Sequence, residues 1–382
     1  MRIAIVVNDF PAVSETFIIN KVKLLAEKGN AIYVYCSKLN EDLWKEHFIQ
    51  TKNITPIPIG KKTSRQYILT HPIFLLRRFT RNKKDLFQNF VAQAINQSNP
   101  DIVHVEFSGL AANLTGAIKK VKAKKIVSCR GSAEKVKLHA SEERKQKLTS
   151  VFSMVDAIHC VSEDMKQTIL PYCNQAGKIF VNHPGIDVEL FKKTVPRSNK
   201  NLIRILSIGR LTFQKGYLTG LLAINRLKES NPNFKWVIVG DGPEKEEIIF
   251  HIHQMQLQQN VMLAGVKSRA EILNLLNQSD IFFLPSVYEG IANAALEAMS
   301  MQLPVVATYS GGMGEVITHE MNGFLADAYD SNTLFHHLFH LAHDEELRKK
   351  IGEAAREKVV NEFTLEKHVK NFEVQYQNLL KS

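Results

Sequence analysis

Apolar residues fall in short, solid runs along this chain rather than in alternation. Arg2 to Asn8 (RIAIVVN), Ala31 to Ser37, Asp101 to Phe107 (DIVHVEF) and Lys125 to Cys129 are four of them. Asp156 to Ser162 (DAIHCVS), Ile203 to Gly209, Trp236 to Gly240 (WVIVG), Val261 to Gly265 and Ile281 to Leu284 continue the series. Each has the length and make-up of a strand buried on both faces, as parallel sheets require. Segments with helical periodicity separate them: Ser14 to Lys28, stopped by Gly29; a small-residue helix from Ile291 to Met301; and a last helix from Phe363 to Leu380. Strand and helix in alternation predict the α/β class, with parallel sheets covered by helices on both faces.

At 382 residues, two domains are expected, each able to bury its own core. Residues 192–200, KKTVPRSNK, read as a linker. The expected division is residues 1–197, residues 198–364 and a terminal helix, 365–382. The longest apolar runs stop well short of eighteen residues, so no membrane span is expected. MRIAIVVNDF reads as a first strand, not a secretion signal. Cys36, Cys129, Cys160 and Cys173 lack metal-type spacing and read as free cytosolic thiols.

Charge changes the picture in one half only. Residues 1–200 carry 32 Lys+Arg against 17 Asp+Glu, and residues 201–382 carry 17 against 21; the sum is the +11 of the whole chain. Residues 61–84 hold eight basic side chains and no acidic one, interleaved with apolar residues. A segment of this kind suits the surface of an anionic membrane, and ordinary solvated helices look the same. No nucleic-acid-binding motif accompanies it.

The most informative stretch is Ser286 to Gly312, SVYEGIANAALEAMSMQLPVVATYSGG. A buried strand leads into Glu289-Gly290, a helix follows, and Pro304 ends it. Glu289 is expected at the C-terminal edge of the sheet, and the first helical turn offers unpaired N–H groups to an anion. On one helix, Glu289 and Glu297 lie roughly 12 Å apart along the axis and about 80° apart around it. Carboxylates that bracket a single glycosidic bond are about 5–9.5 Å apart. The wider spacing suits one elongated ligand with an anionic middle, such as a nucleoside diphosphate sugar. Two solvated glutamates on a surface helix would have the same spacing. Earlier, Gly209-Arg210 ends a strand and Lys215-Gly216 opens a helix. That arrangement brings two cations near a phosphate at a helix N-terminus.

Together these stretches resemble the retaining GT-B glycosyltransferases of family 4 (glycosyl transferases group 1). Their signature is a Glu-Gly pair with a second glutamate eight positions after the first. FPAVSETFI, Phe10 to Ile18, is similar to the exopolysaccharide and colanic-acid branch of that family. The resemblance implies two Rossmann-like doubly wound parallel-sheet domains facing a cleft, with the last helix packed back on the first domain. It implies transfer of a sugar, with retention, from a nucleotide diphosphate sugar to a hydroxyl of a glycan or lipid-linked glycan acceptor. It implies no metal or other cofactor, in keeping with the absence of an Asp-x-Asp cluster, and a cytoplasmic protein at the inner face of the cell membrane.

The resemblance also assigns residues. Glu289 would contact the transferred sugar, Glu297 the ribose, and the backbone of Gly209, Gly290, Ile291 and Ala292 the diphosphate. Arg210 and Lys215 would hold the phosphates, and the loop with Lys267 would flank the base. Ser14 and Glu15 would face the acceptor, although Ser14 reads equally as a helix cap. Relatives end the strand before Gly131 with a histidine close to the reacting sugar; here Arg130 stands in its place. Arginine cannot act as a base but can neutralise a phosphate or orient a hydroxyl. His104, Glu106 and His139 are the candidate replacements. Two readings outside glycosyl transfer stay open: a nucleotide-sugar epimerase of the same fold, and a non-catalytic nucleotide-sugar binder.

Overall fold

The computed structural model describes residues 1–12, 15–60, 83–136, 138, 141–194, 202–230 and 233–382. Most of the basic segment 61–84, together with Ser14 and His139, lies outside the described residues. The chain divides into two compact units: residues 1–183 with 368–382, and residues 184–367. The division falls at His183–Pro184, upstream of the 197/198 boundary expected from composition, and residues 368–382 belong by their contacts to the first unit.

The first unit holds a parallel seven-stranded sheet. Its strands are β1 (Arg2–Phe10), β2 (Ala31–Leu39), β3 (Ile54–Pro58), β4 (Ile102–Val105), β5 (Lys124–Cys129), β6 (Ala157–Cys160) and β7 (Ile179–Val181). They lie in the order β3-β2-β1-β4-β5-β6-β7. The second unit holds a parallel six-stranded sheet of β8 (Ile203–Ile208), β9 (Phe234–Val239), β10 (Val261–Gly265), β11 (Ile281–Leu284), β12 (Val305–Thr308) and β13 (Phe324–Ala326). Its order is β10-β9-β8-β11-β12-β13. β4, β6, β11 and β12 are buried at every position, which is why they are written as unbroken apolar runs.

Both sheets reverse direction of growth next to their first strand, between β1 and β4 and between β8 and β11. In sheets of this kind the loops leaving the strands diverge at that point and open a crevice at the carboxyl ends. Each unit therefore has one such switch point; Arg210 and Glu289 follow the strands at one of them, Glu15 and Glu106 those at the other.

Two helices start later than the sequence predicts. The first runs over Thr16–Glu27 and Glu15 precedes it without a side-chain cap. The helix expected over Ile291 to Met301 runs over Asn293–Ser300. The reason is visible at Gly290: its carbonyl is turned to the Gly312 N–H at 2.7 Å, which holds the segment in a strap rather than a helical turn. Ala292 is extended, with φ −80° and ψ 110°. Glu289, Gly290, Ile291 and Ala292 thus form a strap before the helix, and Glu297 sits on its second turn. The two glutamates are not at the two ends of one helix, and the 12 Å estimate does not apply.

Candidate functional site

In the second unit, the turn after β8 and the strap after β11 meet at the switch point. Gly216 makes the turn possible. Its φ is +62°, and a Cβ there would lie 2.0 Å from the Pro285 carbonyl oxygen. Only glycine fits both the left-handed backbone and the close approach. The Val287 N–H donates to the Gln214 carbonyl at 2.7 Å, tying the strap to the turn. Gly209 leaves room for the Lys215 stem: a Cβ at Gly209 would sit 2.9 Å from Lys215 Cε.

The result is that Lys215 Nζ donates to Glu289 Oε1. Ser286 Oγ donates to the same oxygen at 2.8 Å. Ser286 is buried and its own carbonyl is held by the Thr308 hydroxyl. Glu289 is 6% exposed. Its second oxygen, Oε2, has no protein partner among the described residues. A carboxylate with one oxygen doubly engaged and the other bare has an acceptor to spare for a hydroxyl donor. Burial, with Glu289 nearby, pushes the Tyr217 phenol well above its usual range. It stays neutral and caps the Gly209 carbonyl at 3.3 Å.

Arg210 is exposed on the same turn, close enough to oppose the rise that burial and then Glu289 impose on the Tyr288 phenol. Beyond the strap, the N–H groups of Ala295 and Leu296 both return to the Ala292 carbonyl, at 3.0 and 3.2 Å. Ala292 offers no capping side chain to the N–H groups of Asn293 and Ala294, and such groups at a helix start can bind an anion. Glu297 is half-buried, and burial raises its pKa to about 7 against the opposing charge of Arg269. Lys267 lies apart from these contacts, on the turn after β10, paired with Glu271 at 3.0 Å.

The first unit carries a different arrangement at its switch point. Lys21, on the first helix, pairs with Glu106 at the end of β4. Arg130, at the end of β5, donates to Glu106 Oε2 at 2.6 Å and to the Glu106 carbonyl at 3.1 Å. Its guanidinium stacks 4.5 Å over the Phe17 ring. Glu106 is fully buried and stays ionised: desolvation opposes this, but the charges of Lys21 and Arg130 and the Lys21 hydrogen bond outweigh it. Arg130 is therefore occupied by Glu106. Glu15, beside Glu106 and Arg130, has a pKa raised to about 7, by burial first and then by Glu106.

His104 is not at the surface. It is buried in a chain of hydrogen bonds whose direction follows from its far end. His159 Nε2 donates to the Asn182 carbonyl at 2.8 Å, since a carbonyl can only accept. His159 Nδ1 then accepts from Ser128 Oγ at 2.8 Å, and Ser128 Oγ accepts from His104 Nε2 at 2.7 Å. His104 Nδ1 is left to accept from Tyr376 at 2.7 Å. Both imidazoles are neutral, with pKa values held well below 6.5 chiefly by burial. This chain fastens the last helix, Leu365–Lys381, to the first sheet through Tyr376 and Phe372. His104 thus holds the fold together and offers no free nitrogen to a ligand.

Sequence reasoning passed over Ser286, Thr308, Lys21, Ser128 and Tyr376. Two were signalled: Ser286 stands three residues before Glu289, and Lys21 falls on the apolar face of its helix between Ile18 and Leu25.

The family model for glycosyl transferases group 1 matches residues 189–358, and that for glycosyltransferase family 4 matches residues 14–190. The chain belongs to these glycosyltransferases. The amylovoran biosynthesis glycosyltransferase AmsK of Erwinia amylovora is 28% identical over 95% of this chain and 96% of its own. The putative colanic acid biosynthesis glycosyltransferase WcaL of Escherichia coli K12 is 24% identical over the same shares. Among solved structures, Anabaena Alr3699/HepE in complex with UDP-glucose superposes with a TM-score of 0.80 at 16% identity, covering 99% of this chain and all of that one. That likeness confirms the fold of two Rossmann-like parallel-sheet domains. Among the described residues of this glycosyltransferase, no helix is long and apolar enough to cross a membrane.

Proposed function

We propose that the protein moves a sugar, with retention of configuration and without a metal, from a nucleotide diphosphate sugar to a hydroxyl of a glycan or lipid-linked glycan. The relatives AmsK and WcaL support a place in bacterial surface polysaccharide synthesis, and we assign the protein to the cytoplasm, at the inner face of the cell membrane. The observation that carries the reading is the convergence of Lys215 and Ser286 on one carboxylate oxygen of Glu289, beside Arg210 and an uncapped helix start.

In this reading, the Glu289 Oε2 oxygen accepts a sugar hydroxyl. Lys215, Arg210 and the strap of Gly290, Ile291 and Ala292, with Gly209 leaving space, hold the diphosphate. Glu297 accepts from the ribose, and the Lys267 turn flanks the base. The acceptor hydroxyl attacks the anomeric carbon from the face the nucleotide leaves. The bond from that carbon to the phosphate oxygen breaks, the electron pair departs with the nucleoside diphosphate, and the hydroxyl proton passes to the leaving phosphate oxygen. Positive charge from Arg210 and Lys215 stabilises the developing anion. Glu15, with Arg130 fixed beside it by Glu106, meets the acceptor.

The test begins with a thermal-shift screen of nucleotide sugars, because a ligand bound by the folded state alone raises apparent stability. Transfer is then measured for Lys215→Ala with the donor so identified. Unchanged turnover in a folded variant would reject the assignment.

A further inference from the structure

Lys215 brings a single positive charge to the site, and two anions would draw on it. In the ligand-free protein its ammonium is spent on Glu289, yet the proposed function has it on the donor diphosphate. Ser286 is different in kind: it is buried, its carbonyl is pinned by Thr308, and its hydroxyl reaches no other carboxylate. Glu289 therefore has one permanent partner and one that can leave.

We infer that Lys215 is exchanged between Glu289 and the diphosphate, and that the exchange lets the site tell sugar-bearing donor from spent nucleotide. The inference rests on the proposed function. When a nucleotide sugar binds, Lys215 swings to the phosphates and a sugar hydroxyl takes its place on the carboxylate, so Glu289 keeps its hydrogen bonds. When a nucleoside diphosphate without sugar binds, Lys215 must still leave, and nothing replaces it. A carboxylate 6% exposed is then short of a charge partner, which is costly. The pair re-forms as the nucleotide departs, so the site favours product release. Gly209 and Gly216 make the exchange mechanically possible. The first leaves the lysine stem free of a Cβ, and the second fixes the backbone from which it swings.

The experiment is calorimetric titration of the wild-type protein, Glu289→Gln and Glu289→Ala with UDP, GDP, ADP and dTDP, each variant first shown to melt cooperatively. Both variants remove the charge that holds Lys215 back. For the nucleotide that binds wild type, each is expected to bind about tenfold more tightly, the worth of one charged hydrogen bond. Lys215→Met should instead lose affinity for the same nucleotide. Unchanged or weaker binding in both Glu289 variants would overturn the exchange while leaving the donor site in place. Failure of all four nucleotides to bind any form of the protein would reject the proposed function and the exchange with it.

Discussion

Lys21 and Glu106 form an ion pair with 1% and 0% of their side chains exposed, at the centre of the first unit. Three neutral histidines surround it: His104, His159 and His368, the last with a pKa lowered to about 3 by burial and the charges of Lys21 and Arg130. A group whose folded pKa is depressed binds fewer protons folded than unfolded, so stability falls as pH drops below its unfolded value. For the histidines that fall begins near pH 6.5. Glu15 and Glu134, whose pKa values are raised by burial, work the other way between their folded values and about pH 4.5. Three protons against at most two leave a net loss of stability as pH falls from 6.5 towards 5. Trp236→Phe leaves Trp44, in the first unit, as the single tryptophan. Urea titrations followed by Trp44 fluorescence should show the midpoint dropping between pH 6.5 and 5; a flat or rising midpoint would contradict the neutral histidine chain.

Gly216 and Gly29 both adopt left-handed backbone, with φ +62° and +85°. A Cβ at Gly29 meets nothing within 4 Å, whereas at Gly216 it meets the Pro285 carbonyl at 2.0 Å. Gly29→Ala should cost about 1 kcal/mol, the backbone penalty alone. Gly216→Ala should cost about 3 kcal/mol or more and dislodge Lys215 from Glu289. Thermal melts compare the two, and nucleotide binding should survive in the first and fail in the second.

The doubly buried strands were legible because a parallel sheet leaves little choice of residue: β4, β6 and β11 could be read from composition and length. β3 was not, since ITPIP carries two prolines on an edge, and β7 and β13 are three residues each. Lys215, Arg210 and Glu289 were legible as a cluster because each stands one turn beyond a readable strand. The late start of the helix at Asn293 was not, because it depends on Gly312 taking the Gly290 carbonyl, a contact 22 residues away in sequence. His104 was misread as lining the site. Its histidine chemistry invites a ligand, while its pairing with Ser128 and Tyr376 exists only once β4, β5 and the last helix are assembled.

If the proposed function holds, Glu297 links ionisation to donor recognition. With a pKa of about 7, it carries a proton part of the time at neutral pH. Ribose hydroxyls donate to the carboxylate better than to the acid, so donor affinity should weaken as pH falls through 7, by up to about tenfold per unit. Glu297→Gln should flatten the profile. Arg269→Ala removes the charge that favours the carboxylate and should move the profile to higher pH. Donor dissociation constants measured from pH 5.5 to 8.5 in the three proteins decide the matter; an identical slope in Glu297→Gln would remove the residue from the nucleotide site.

Ser286 holds one oxygen of Glu289, and in the proposed function it would orient that carboxylate toward the sugar. Its hydroxyl holds Oε1 at 2.8 Å, and that bond turns Oε2 outward. Ser286→Ala leaves Lys215 as the sole partner of Oε1. When Lys215 moves to the diphosphate, the carboxylate is free to rotate. The loss should therefore appear in kcat more than in KM, since it grows as the sugar moves toward the transition state. A drop of about tenfold to a hundredfold in kcat matches one hydrogen bond to a charged group. Ser286→Thr keeps the hydroxyl and should recover much of it. A change confined to KM, or no recovery by threonine, would show that Ser286 supports the loop rather than the orientation of Glu289.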